Sequence, residues 1–353
     1  MPNHSQMMIS DMQIITLYSN NMKATPKRFS YSAINLVTMM LMGIMYTSCT
    51  TNCDDCPMEK TIHPRMAIEL TLEANTANMA TAMNAVYADM LTDSLKRVKF
   101  AKALLDSTRY LNHNQGYFFL VSLSEYNIVD AAYPQIEGEF LGDWKDQQGH
   151  YYVTQVLQRT QMSGQGWTAY LWQDPENKKV EQKYAYYKHI PAAGWAAGSG
   201  YYESMVGEMS DLTYDQFLGF QYRELTNSMA QAISNVSRVY AGDSDFFIKA
   251  LRKMIHFTRF GAQYGGYFFV LDMEGTVMAH GADPSLVGKN LWNFKDEKGT
   301  LIIQELVSLI KANGGGRADY YWKNVVDQQV ELKHGYVKAI AGTNMLIGSG
   351  FFE

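Results

Sequence analysis

The sequence predicts an α+β protein made of two copies of one module. Each copy is a long N-terminal helix followed by a mostly antiparallel five-stranded sheet with helices packed on it. Three observations predict this. First, a shift of 150 residues aligns 91–203 with 241–353 without a gap, at 30 identities in 113 positions. Gly116-Tyr117-Phe118-Phe119 falls on Gly266-Tyr267-Phe268-Phe269, and Gly198-Ser199-Gly200 on Gly348-Ser349-Gly350. Clustered Gly and aromatic identities at one offset mark a duplicated domain rather than a solenoid. Second, residues 65–115 contain neither Gly nor Pro. Third, the helical stretches lead into short consecutive strand-like runs, which pair antiparallel beneath the helices. A length of 353 residues suits two domains.

The elements follow in order. Met66, Ile68, Leu70, Met79, Met83, Val86, Tyr87 and Met90 recur at helical spacings. Asp93 or Ser94 caps a second helix that runs to about Tyr110. The second copy repeats this with a helix over 214–240, carrying Met229, Ile233, Val236 and Val239, before Asp243-Ser244. Residues 266–280 read as strand, turn at Glu274-Gly275, then strand. Residues 300–312 form a helix with Leu301, Ile302, Leu306, Val307 and Ile310 apolar, and 318–324, 330–340 and 345–352 are three more strands. The 22 Met and 24 Tyr are accounted for mainly as helix-packing surface rather than a cofactor site. The modules are bounded at 61–205 and 206–353, after a leader and signal peptide over 1–48 and a tether over 49–60.

Composition narrows the function. Lys and Arg number 30 against 35 Asp and Glu, a net charge of -5, so the basic excess of a nucleic-acid binder is missing. The three cysteines, Cys49, Cys53 and Cys56, all precede the repeat, which excludes a disulfide framework or thiolate metal site within it. Lys23, Lys27 and Arg28 precede an uncharged stretch over 29–53 whose apolar heart, 33–46, is too short to span a bilayer. Tyr46-Thr47-Ser48-Cys49 ends it and resembles a bacterial lipoprotein signal, which implies lipidation at Cys49. A cleaved signal without lipid and an uncleaved anchor are the alternatives, and Met22 is an alternative start. Cys53 and Cys56 offer only two ligands and read as tether.

A set of motifs in the second copy carries a family resemblance. It comprises Arg259-Phe260-Gly261, Gly265-Gly266-Tyr267-Phe268-Phe269-Val270, Asp272, His280, Gly288-Lys289-Asn290-Leu291, Lys295-Asp296, Gly299, Tyr320-x-Trp322, Lys333 and Ile347-Gly348-Ser349-Gly350-Phe351. It resembles the Cache domain, in the class of single Cache type 2 and double Cache type 2. The resemblance covers 60–353 as two copies. It implies a PAS-like extracytoplasmic module that binds small ligands, often short carboxylates, and reports occupancy through its long helices. The first copy departs from it. Asp130 stands for His280, Asp143 for Asn293, and Gly138-Glu139-Phe140-Leu141 for the Gly-Lys-Asn-Leu loop, so its ligand differs or its pocket is unused.

A small anion is held by a guanidinium, an ammonium and aromatic walls that exclude water. Candidates in the second copy are Arg259, Tyr267, Phe269, His280, Trp292, Tyr320, Trp322 and Lys333. In the first they are Arg109, Tyr117, Tyr170, Trp172 and Lys183. Each has a plainer reading. Tyr-x-Trp puts both rings on one sheet face as core. Arg259 and Arg109 close helices, where they neutralise terminal carbonyls. A strand lysine is commonly solvated. Gly198, Gly200, Gly348 and Gly350 read as backbone bends rather than a phosphate cradle, since no helix is expected after them.

Catalytic signatures are missing: no His-Glu-x-x-His, Gly-x-Ser-x-Gly, P-loop or post-strand Gly-x-Gly-x-x-Gly occurs, and the eight His are scattered. The expectation is therefore a non-enzymatic sensor module in the cell envelope, with no cofactor or metal. It would bind a small molecule and be held at the lipid bilayer through Cys49. Two modules consume the chain, so signalling would pass through an unidentified partner protein, and a homodimer follows by analogy. The alternative is an interaction or scaffold lipoprotein whose long helices dock a partner.

Overall fold

Pro64 stands in the first turn of the first long helix, where its missing N–H is no loss, and the His63 ring accepts from the Arg65 amide. In the computed structural model, which describes residues 61–353, this helix (α1) runs Pro64–Asp89 after a two-residue strand β1, Thr61–Ile62. Asp93 caps α2 (Ser94–Leu105) by accepting from the Lys96 amide at 2.9 Å. Strands β2 (Phe118–Ser122) and β3 (Asn127–Asp130) follow, then α3 (Tyr152–Ser163). Gly164, left-handed at φ 75°, ends α3 and lets the chain turn into β4 (Gln165–Gln173). β5 (Val180–Ile190) and β6 (Trp195–Tyr202) complete the first module, and the short α4 (Glu203–Val206) leads out of it.

The second module starts at β7 (Leu212–Thr213) and α5 (Tyr214–Val239), where Thr213 and Gln216 cap each other's backbone amides. It continues through α6 (Ser244–Phe257), β8 (Phe269–Asp272), β9 (Val277–His280) and α7 (Ile302–Asn313). The last strands are β10 (Gly315–Lys323), β11 (Val330–Ile340) and β12 (Met345–Phe352). The sheets have matching orders, β3-β2-β6-β5-β4 and β9-β8-β12-β11-β10, and all neighbours are antiparallel. The expected α+β class and its duplication are therefore present, and the strands expected at 330–340 and 345–352 have those bounds.

Three features differ from expectation. α2 stops at Leu105, short of Tyr110, and Leu111, His113 and Asn114 take positive φ as the chain turns toward β2. A two-stranded ribbon, Thr61 opposite Thr213 and Ile62 opposite Leu212, joins the starts of α1 and α5. The modules also share one core, because α1, α2, α5 and α6 pack together with Leu72, Met79, Leu104, Leu225, Met229 and Met254 buried. A second core lies between α7 and its sheet, built on Phe269, Leu271, Ile302, Leu306 and Leu346. The leader, the tether and Cys49, Cys53 and Cys56 lie outside the described residues. Among those described, no helix is long and apolar enough to cross a membrane.

Candidate functional site

Alternation along β8, β10, β11 and β12 sends one set of side chains toward α7 and the other toward α5. Lys333 lies on the α7 side of β11, opposite Tyr320 of β10 and Phe352 of β12. It is 1% exposed. Its ammonium sits 4.0 Å from the Tyr267 ring centre, 5.3 Å from Phe352 and 5.6 Å from Phe269. Among the described residues it has no ion pair and no hydrogen bond. Burial alone pulls its pKa from 10.5 down to about 7.

A cavity of about 30 Å³ opens beside this amine. Its polar wall is Lys333, His280, Tyr267, Tyr320 and Trp322; its apolar wall includes Phe269, Leu271, Val277, Leu291, Ile302, Ile303 and Leu306. That volume holds about one or two waters. The Tyr267 hydroxyl is buried without a well-formed hydrogen bond, although the Trp322 side chain lies close to it. His280 Nδ1 accepts from the Asp283 amide at 2.8 Å, so the neutral ring carries its proton on Nε2. Burial, then the Lys333 charge, lowers the His280 pKa to about 4, so the ring is neutral near pH 7. The site thus offers one cation, two free donors and an apolar pocket, which suits an anion with a short apolar tail.

The structure gathers Tyr267, Phe269, His280, Tyr320, Trp322 and Lys333 around one cavity. It does not bring Arg259 or Trp292 into that wall. The Arg259 guanidinium donates to His256 O at 3.0 Å, to Thr258 O at 2.8 Å and to Gly281 O, so it closes the end of α6 and holds the chain after β9. Trp292 is half-buried against the apolar core. The expectation that a strand lysine is solvated does not hold for either lysine, since Lys183 is 2% exposed. Leu271, Val277, Ile302, Ile303 and Leu306 also line the cavity, and the sequence does not single them out as site candidates because their helix and strand spacing reads only as core.

The Gly-Ser-Gly strands are not bends. A Cβ on Gly348 would come within 2.3 Å of the Phe269 ring, and one on Gly350 within 2.9 Å of Lys333 Cε. Gly198 and Gly200 stand in the same relation to Phe119 and Lys183, at 2.2 and 2.8 Å. These glycines clear the floor over which the ring and the lysine lie. Between them, Ser349 points the other way and bonds Thr226 Oγ1 of α5 at 2.6 Å.

In the first module Tyr117, Tyr170 and Lys183 also meet. Lys183 Nζ donates to the Tyr117 hydroxyl at 2.7 Å and lies 4.6 Å from the Phe119 ring centre. Arg109 binds the carbonyls of Asp106, Thr108 and Ala131, as Arg259 does in its own module. Trp172 packs 5.6 Å from Tyr152 and 6.3 Å from Trp144. Asp130, in the place of His280, is 6% exposed and accepts from the amides of Ala132 and Tyr133.

Tandem antiparallel sheets under long helices, with a buried lysine at a small cavity, define a sensor-type ligand-binding module. A family model described as a Cache domain (dCache_2) matches residues 65–353, and the chain belongs to that family. Cache domains are extracytoplasmic, non-enzymatic ligand-sensing modules. The chain is 28% identical over 145 residues to the sensor histidine kinase MctS of Rhizobium johnstonii, covering 40% of this chain and 31% of that one. It is 26% identical over 86 residues to the methyl-accepting chemotaxis protein McpP of Pseudomonas putida, covering 24% and 16%. The chain therefore spans less than a third of either relative's length. Among solved structures, a chemotaxis protein from Vibrio parahaemolyticus is similar at 26% identity, TM-score 0.35, covering 39% of this chain and 91% of that one. A Cache chemosensory domain described for carboxylic acid recognition is similar at 26% identity, TM-score 0.34, covering 40% and 99%.

Proposed function

We propose that the second module binds a small monocarboxylate and reports its presence through α5 to a separate signalling protein. The observation that carries this is Lys333, a buried ammonium with no counter-charge at the wall of a cavity whose other side is apolar. An isolated buried charge is costly, and an anion relieves that cost. The carboxylate would accept from Lys333, the Tyr267 hydroxyl and His280 Nε2, with its alkyl tail against Ile302, Ile303 and Leu306. A two- or three-carbon acid would lie between the sheet and α7, so binding would bear on the packing of α7 against the sheet. β12 would carry the change across the sheet, because Gly350 touches Lys333 on one face while Ser349 bonds Thr226 on the other.

Calorimetric titration with formate, acetate and propionate, set against methylamine, tests the reading. One acetate or propionate should bind per chain, and methylamine should not. A chain that binds none of the three acids at any accessible concentration overturns it. The Tyr46-Thr47-Ser48-Cys49 motif supports a lipid anchor at Cys49. A Cys49→Ser chain should leave the membrane fraction; one that stays bound removes the anchor.

A further inference from the structure

We propose that the first module is a self-liganded copy of the second: the Asp130 carboxylate supplies Lys183 with the counter-charge that the second module takes from outside. Tyr152 and Tyr187 fill the space a ligand's tail would need. The likeness to a bound ligand rests on the carboxylate reading of the second module; the filled state of the first does not.

The two sites share one register, so they compare position by position. Asp130 pairs with Phe119 as His280 pairs with Phe269, and Lys183 pairs with Tyr170 as Lys333 pairs with Tyr320. With a shift of 150 residues, Tyr152 replaces Ile302, Tyr187 replaces Val337 and Tyr202 replaces Phe352. Each change adds volume or a hydroxyl. The Tyr152 ring stacks on Tyr170 at 4.3 Å, and Tyr187 meets Phe119 edge-on at 5.2 Å. All four rings are buried.

The added hydroxyl at Tyr202 also completes a chain of bonds. Lys183 donates to Tyr117, the Tyr117 and Tyr202 hydroxyls are 3.3 Å apart, and Tyr202 donates to Gln173 O at 2.9 Å. In the second module Phe352 cannot continue this chain, and the Tyr267 hydroxyl is left without its bond. Charge follows the same division. The first site holds the buried Lys183 and, in the place of His280, the buried Asp130; the two are farther apart than an ion pair, and burial raises the Asp130 pKa while the Lys183 charge lowers it. The second holds one buried cation beside a neutral histidine. Burial lowers the pKa of both lysines; at Lys183 the charges of Asp130 and then Asp174 oppose it, whereas at Lys333 no carboxylate does. An outside anion neutralises the second site, but it would bring a surplus negative charge into the first.

Formate is the probe, because it matches the group that Asp130→Ala removes. The full-length chain carries Lys333→Met throughout, which silences the second site, and thermal unfolding is followed with formate against equal concentrations of nitrate. Asp130→Ala should lower the midpoint by several degrees. Formate should then raise it well above its effect on the parent, and added Lys183→Met should abolish that gain. Asp130→Ser keeps an acceptor for the Ala132 and Tyr133 amides, so it serves if the alanine variant does not fold, and the same rescue is expected. The proposal is overturned if formate stabilises neither variant beyond the parent. It is also overturned if the parent itself binds a carboxylate that Lys183→Met removes. Failure of the unmutated chain to bind any carboxylate would defeat the second-module reading alone, since the rescue is read in the first.

Discussion

Gly350 lies directly under Lys333: a Cβ there would stand 2.9 Å from Lys333 Cε and 2.6 Å from the His334 carbonyl. The backbone at Gly350 is ordinary extended strand, so its value is the missing side chain and not conformational freedom. Gly350→Ala should cost about 1–3 kcal/mol of stability by overpacking. It should also displace the lysine and weaken acetate binding. Thermal unfolding with calorimetry reads both, and an alanine chain of unchanged affinity would separate the glycine from the site.

Lys333→Met should stabilise the unliganded protein while abolishing carboxylate binding. Lowering an ammonium from 10.5 to about 7 corresponds to roughly 5 kcal/mol of preference for the neutral form. The folded pKa lies below the unfolded one, so this penalty is full below pH 7 and fades as pH rises toward 10.5. The methionine chain should gain about 1–4 kcal/mol near pH 6, less as pH rises, by chemical denaturation. A destabilised methionine chain would mean that Lys333 has a partner in the folded state.

Carboxylate affinity should be level from about pH 5 to 7 and fall above pH 7. A bound anion favours protonated Lys333, so the free amine must take up a proton once pH exceeds about 7, at about tenfold in affinity per pH unit. His280, held near 4, stays neutral across that window. Titrations at four pH values decide this, and an affinity that rises with pH excludes Lys333 as the anion's partner.

His280→Asp should convert the second site into a likeness of the first. The new carboxylate would neutralise Lys333 from within and lower acetate affinity by tenfold or more. A tryptophan fluorescence titration through Trp322 reads it, with His280→Asn as the uncharged control that retains measurable binding.

Thr226→Val removes the hydroxyl that α5 offers to Ser349 and leaves Ser349 only the Tyr222 carbonyl, 3.4 Å away. The cost should be about 1 kcal/mol. Acetate should still bind, while the ligand-induced change in amide exchange along α5 should shrink. An undiminished change would place the route to α5 elsewhere.

The parts of this protein that repeat, alternate or cap are legible in its sequence. β12 can be bounded because Met345–Phe352 is a short run of apolar and small residues, and α5 because Met229, Ile233, Val236 and Val239 recur at helical spacing. The β1–β7 ribbon is not legible, since two residues carry no period and the partners are far apart in sequence. Lys333 is readable as a residue type but not as a buried one. A lysine in a strand is normally solvated, and nothing local announces an ammonium held in an apolar pocket. Arg259 shows the reverse case. Its chemistry suits an anion, but two carbonyls at the end of α6 and the Gly281 carbonyl after β9 hold its two terminal nitrogens.

The ribbon between Thr61–Ile62 and Leu212–Thr213 gives α5 a fulcrum. The helix is about 39 Å long from its 26 residues, and Thr226 stands at its midpoint. On the proposed reading, a tilt begun at Ser349 would reach the far end at about twice its initial amplitude. There Tyr240 stacks on Phe246 at 4.4 Å and leans on Phe100 of α2 at 6.2 Å. On the proposed reading, the first module would receive that stroke through α2. If the second module binds as proposed, a ligand too small to reshape a surface would in this way shift the helix layer that both modules share.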